Sequence, residues 1–108
     1  LNNGGYFQFA WELTDAATNA PLVCADVVGE NGVSILSTLV GTQDAFDDTF
    51  DCEDGANVTG GIFAGNYEVS VSILNAQGQA TDTAPTINGT IEPQNRITDL
   101  GVITIPVN

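Results

Sequence analysis

The chain has 108 residues, 43% of them apolar and 14% charged, and fourteen carboxylates against the single guanidinium of Arg96 give a net charge of −13. A chain of this length buries a two-layer core as one domain, so residues 1–108 read as a single unit. A field this negative repels phosphate backbones and anionic lipid, which argues against nucleic-acid and membrane-surface partners.

In chain order, Tyr6 to Thr14 alternates strictly, with Phe7, Phe9, Trp11 and Leu13 on one face, and reads as a half-buried strand. The stretch DAATNAP from Asp15 to Pro21 is turn chemistry and leads into a second predicted strand, Leu22 to Val28, which carries Cys24. Gly29 to Gly32 is a turn signal. Val33 to Val40 is a third strand, with Val33, Ile35 and Ser37 opposite Ser34, Leu36 and Thr38. Ala45 to Cys52 alternates again and places Phe46, Phe50 and Cys52 inward, with Asp48 as the misfit on that face.

Glu53 to Asn57 reads as a turn, Val58 to Phe63 as a short strand broken by Gly60 and Gly61, and Gly65 to Leu74 as the central strand of a sheet. A hairpin turn at Asn75 to Gly78 follows. Thr86 to Glu92 and Ile97 to Val107 complete the set, the last strand having Leu100, Val102 and Thr104 on its inward face. Short alternating strands separated by regular turn signals predict an antiparallel, immunoglobulin-like sandwich of seven or eight strands. Its expected core is Phe7, Phe9, Trp11, Leu13, Phe46, Phe50, Tyr67, Val69, Val71, Ile73, Leu100 and Val102.

The inventory of reactive groups is short. Without His or Lys there is no Ser–His, Cys–His or Schiff-base arrangement, and no Lys–Asn crosslink forms within the chain. Paired carboxylates remain, but nothing marks one pair above another, so no catalytic residues are expected. Cys24 and Cys52 alone do not complete a zinc site. A disulfide between them is the expected state and implies an oxidising compartment, two buried free thiols being the alternative. The chain begins at Leu1 without a charged leader or a long apolar run, and is expected to be a mature or excised segment of an extracellular or cell-surface protein.

Six carboxylates, Asp44, Asp47, Asp48, Asp51, Glu53 and Asp54, fall within eleven residues. Hard oxygen donors in a loop suit Ca²⁺, although the spacing is not that of an EF-hand; the alternative is a solvated face on an edge strand, where charge also discourages aggregation. Asn57-Val58-Thr59 and Asn88-Gly89-Thr90 are glycosylation sequons, which also arise by chance in such a composition. Tyr6 and Trp11 are the candidates for sugar stacking, but Trp11 shares the core face of its strand.

The stretch WELTDAATNAPLVCA from Trp11 to Ala25 resembles the opening of carboxypeptidase regulatory-like domains, and DCEDGANVTGGIFAGNYEVSV from Asp51 to Val71 resembles their acidic turn and central-strand entry. Pro21, Ala25, Asp54, Gly55, Gly65, Tyr67 and Val69 carry the likeness. The resemblance implies a transthyretin-like or immunoglobulin-like sandwich serving as a non-catalytic module of secreted bacterial surface proteins. The chain departs from that pattern in its cysteine pair and in its longer stretch from Val27 to Asp44; it departs from antibody domains because Trp11 precedes both cysteines. Two functions follow as expectations. One is a structural or adhesive module, including a filament subunit that assembles with copies of itself or neighbouring domains through its terminal strands. The other is a calcium-dependent or glycan-binding module.

Overall fold

The computed structural model describes residues 3–108. Twelve residues of alternating character form β1 (Gly4–Asp15), which becomes the spine of one sheet. Along one side it pairs in parallel with β10 (Arg96–Val107), from Gly5↔Arg96 to Asp15↔Val107. Along the other it takes three short antiparallel segments in turn: β6 (Ile62–Phe63), β5 (Ala56–Val58) and β2 (Pro21–Leu22). The second sheet is antiparallel throughout and runs in the order β4 (Ala45–Phe50), β3 (Val33–Leu39), β7 (Gly65–Leu74), β8 (Ala80–Thr83). β9 (Ile87–Ile91) joins it alongside the first half of β7.

The two sheets make an all-β sandwich whose pairings are antiparallel except for that between the first and last strands. Among the described residues seven strands have four residues or more, and no helix is long and apolar enough to cross a membrane.

The core forms where the inward faces meet. Phe7, Phe9, Trp11 and Leu13 of β1 pack against Tyr67, Val69, Val71 and Ile73 of β7, with Val33 and Ile35 of β3 beside them. Aromatic rings bind the layers edge to face, as Phe7 does with Tyr67 at a centroid distance of 5.9 Å, and Phe50 closes the far end against Phe9 and Trp11. Packing is close enough to require glycine at one point on β9. A Cβ on Gly89 would stand 2.7 Å from the Phe7 ring.

Three expectations are corrected, and one strand is added. The predicted strand Leu22 to Val28 ends at Leu22; Cys24–Asp26 is a 3₁₀ turn, because the Asp26 carboxylate accepts the Val23 N–H at 2.9 Å and curls the chain out of the sheet. Ala45 to Cys52 likewise stops at Phe50, and Cys52–Asp54 forms a second 3₁₀ turn ended by Gly55 in the left-handed region. Ala80–Thr83, to which the sequence pattern assigns no element, is a strand bonded to β7.

In β10 the inward face differs from the expected one. Val102 is 64% exposed, and Ile103, Ile105 and Val107 fill the core instead. Between Gln8 and Ala10 the partner strand advances from Asp99 to Val102, one residue more than β1 does. That extra residue is a bulge at Leu100 and Gly101, with Gly101 at φ 78°. Because side chains alternate with period two, one inserted residue inverts the facing of everything after it.

Cys24 and Cys52 form the expected disulfide, with Cα atoms 6.0 Å apart. It ties the turn after β2 of one sheet to the turn after β4 of the other.

Candidate functional site

The acidic segment is spread along β4 and the turn that follows it. Asp44 precedes the strand, and its carbonyl accepts the Leu39 N–H at 2.8 Å to close the β3–β4 hairpin. Asp47 pairs with Leu36 on the outer face and accepts the Ser34 hydroxyl at 2.8 Å. Asp48 lies opposite Ile35 on the inner face, where its carboxylate accepts the Gly60 N–H at 3.2 Å. Asp51 leads into the second 3₁₀ turn, and the Asp54 carboxylate accepts the Asn57 side-chain amide at 3.4 Å.

These six side chains therefore point in several directions. Among the described residues no group of three or more His, Cys, Asp or Glu is placed to hold a metal ion. Asp51, Glu53 and Asp54 border a shallow hollow of about 320 Å³ together with Glu30. The geometry does not suit a Ca²⁺ cage, whose six or more oxygens converge on one point. It does suit an edge strand: β4 is the margin of its sheet, and an inward-turned charge such as Asp48 obstructs pairing with another chain.

The remaining sequence candidates also have definite places. Trp11 is buried and its Nε1 donates to the Cys52 carbonyl at 3.0 Å, so its ring serves the core. Tyr6 is half-buried on the outer face of β1. Asn57 sits in β5, paired with Phe9, and the Thr59 of its sequon is buried, accepting the Phe7 N–H at 3.1 Å and donating to the Gly60 carbonyl. Asn88 is exposed on β9, and Thr90 of that sequon donates to the Asn66 side chain.

The sequence pointed to both terminal strands, Tyr6 to Thr14 and Ile97 to Val107, as assembly strands, but not to which of the two has an open margin; that strand is β10. The strand is twelve residues long and lies at the edge of its sheet, with β1 on one side only. Beside that margin Ala84, Pro85 and Ile87 of the second sheet and Leu100, Val102 and Ile103 of β10 enclose an apolar hollow of about 250 Å³. The bulge at Gly101, whose N–H is taken by the Asp99 carboxylate at 2.8 Å, and Pro106, which lacks an N–H, confine regular pairing along the second half of the edge to Val102–Ile105. The signal available in the sequence was Gly101 itself, since a glycine inside a strand pattern often marks a bulge.

These features define a class, an all-β sandwich with one disulfide and one long open strand edge. No protein-family model matches the chain, and no curated protein matches it. A solved structure, that of a leucine-rich repeat protein from Bacteroides thetaiotaomicron, is similar over 95% of this chain with a TM-score of 0.57 and 12% identity. The similar region is 12% of that protein, so the likeness concerns the fold of a small part of it.

Proposed function

We propose that the chain is a non-catalytic structural or adhesive module of the cell exterior, built to join neighbouring domains or copies of itself through the edge of β10, as a surface filament subunit would. The observation that carries this reading is the contrast between the terminal strands. β1 is bonded on both sides and offers no edge, whereas β10 has one open margin flanked by an apolar hollow. An extended segment added there gains main-chain hydrogen bonds from Val102–Ile105 and buries side chains in the hollow.

The disulfide supports an oxidising compartment. The carboxypeptidase regulatory-like or transthyretin-like resemblance belongs to the same proposal. It is supported by Tyr67, whose hydroxyl donates to the Phe63 carbonyl four residues upstream at 2.6 Å, much as the corner tyrosine of immunoglobulin-like sandwiches does.

The test is concentration-dependent mass by sedimentation velocity on the oxidised chain and on Pro85→Glu, which puts a carboxylate on the exposed rim of the hollow. Association of the parent that the variant weakens about tenfold is expected, since a segment docked over the hollow covers that carboxylate and leaves it without a partner. Equal association of the two proteins would remove the edge from consideration.

A further inference from the structure

We infer that the domain is a mechanical link, in which tension on the chain before β1 and after β10 is borne as shear by the parallel β1–β10 ladder. The direction of the two strands carries this. Gly5 stands opposite Arg96 and Asp15 opposite Val107, so the start of β1 and the end of β10 lie at opposite ends of the ladder. Each strand has twelve residues and so spans about 40 Å. Of the molecule's extents, 41 × 23 × 21 Å, the longest alone accommodates that length. The ladder therefore runs from pole to pole, and chain joined to those two strand ends departs from opposite poles.

Topology then fixes how the load is shared. Tension draws β1 toward one pole and β10 toward the other, along the direction of both strands. The hydrogen bonds of a parallel ladder are evenly spaced along the strands and cross between them, so sliding strains all of them at once. An antiparallel pair would bring the same two ends to one pole, where tension opens a ladder one bond at a time. The one parallel pairing of this sandwich thus falls where it converts tension into shear.

The ladder is closed at both ends and locked along its length. At one end the Asn95 N–H donates to the Gly4 carbonyl at 2.8 Å, and at the other the Ala16 N–H donates to the Val107 carbonyl at 2.9 Å. Between them the Thr104 hydroxyl donates to the Glu12 carboxylate at 2.7 Å. Phe7, Phe9, Trp11 and Leu13 of one strand and Ile103, Ile105 and Val107 of the other are set in the core, which they must leave if the strands slide. A regular ladder could slip by two residues and keep its facing, but the bulge at Leu100 and Gly101 breaks that repeat and mismatches part of any slipped register.

No second path relieves this ladder. Among the described residues β1 is the only ladder partner of β10, whereas β1 is also held on its other side by β6, β5 and β2. The Cys24–Cys52 disulfide closes a loop that contains neither strand, so it cannot carry tension between them. The inference rests on the reading of the chain as a structural or adhesive module and names how such a module holds when pulled.

Force ramps in an optical trap on the oxidised chain test it in two geometries. In the first, handles are attached at the two chain ends. In the second, they are attached at the amino end and at the exposed position 92, through Glu92→Cys, in the connection between β9 and β10. The second geometry pulls β1 and β10 from the same pole and peels them apart. Forced unfolding is governed by the unfolding rate, which tension raises least when many bonds must fail together over a short distance. The end-to-end geometry is expected to unfold at a severalfold higher force. Equal forces, or a higher force from the same-pole geometry, would overturn the link. The result is separate from association: a chain that sediments as a monomer yet is severalfold stronger from pole to pole keeps the link and loses the edge contact. An associating chain with equal forces in both geometries keeps the edge contact and loses the link.

Discussion

Tyr67 is fully buried on β7, with its ring edge-on to Phe7 and its hydroxyl on the Phe63 carbonyl. Burial first, and then the nearby Asp44 carboxylate, raise its pKa above the ordinary 10.0. The neutral phenol is thus favoured more in the folded chain than in the unfolded one. The resulting stability is complete below the unfolded value and is lost as pH rises through that value toward the raised folded one. Tyr67→Phe is therefore expected to flatten the fall of the urea midpoint between about pH 9 and about pH 11, at the cost of one hydrogen bond at neutral pH. An alkaline limb as steep in the variant as in the parent would assign the fall to other groups.

Single residues also decided what the sequence concealed. Strict alternation correctly placed Phe7 through Leu13 and Tyr67 through Ile73 inward, because nothing interrupts the period of β1 or β7 on its inner face. In β10 the same rule assigned Val102 to the core, and the insertion at Gly101 reversed it.

At the scale of elements, the disulfide is a covalent tie between the two sheets, with Cys52 itself in the buried core. It spans a sequence separation of 28 residues that contains the whole β3–β4 hairpin. In the chain-entropy treatment a loop of that size stabilises the fold by about 3 to 4 kcal/mol through the unfolded state. The double variant Cys24→Ala/Cys52→Ala is expected to keep its circular dichroism while losing about that much stability in urea denaturation. An unchanged midpoint would mean that the crosslink constrains nothing. The pairing was readable from two cysteines without a metal-ligand set, but their settings were not. Both sit in 3₁₀ turns made by local contacts, such as Asp26 on the Val23 N–H, and β-branched residues around Cys24 signalled a strand that those contacts override. β8 was hidden for a related reason. Ala80–Thr83 has little apolar alternation, and its pairing to Ser72 through Leu74 is a tertiary event.

For the whole molecule, charge is the dominant uniform property. With −13 distributed over so small a body and Arg96 as its one side-chain cation, the folded state concentrates repulsion that the expanded chain relieves. The acids around Asp44 to Asp54 add to it without converging on a common ion. Thermal stability is accordingly expected to rise with NaCl between about 0.01 M and about 0.15 M, as the screening length contracts from about 30 Å to about 8 Å, and then to level off. Calcium separates diffuse screening from site binding. A specific ion stabilises by linkage, in proportion to the logarithm of its concentration over its dissociation constant, and does so beyond any ionic-strength effect. Because the carboxylates face apart, Ca²⁺ at ionic strength matched with NaCl is expected to leave the melting temperature where the NaCl control puts it. A rise of several degrees above that control would show that the turn around Asp51, Glu53 and Asp54 rearranges to gather its oxygens about the ion, and would restore the calcium-dependent reading of the segment.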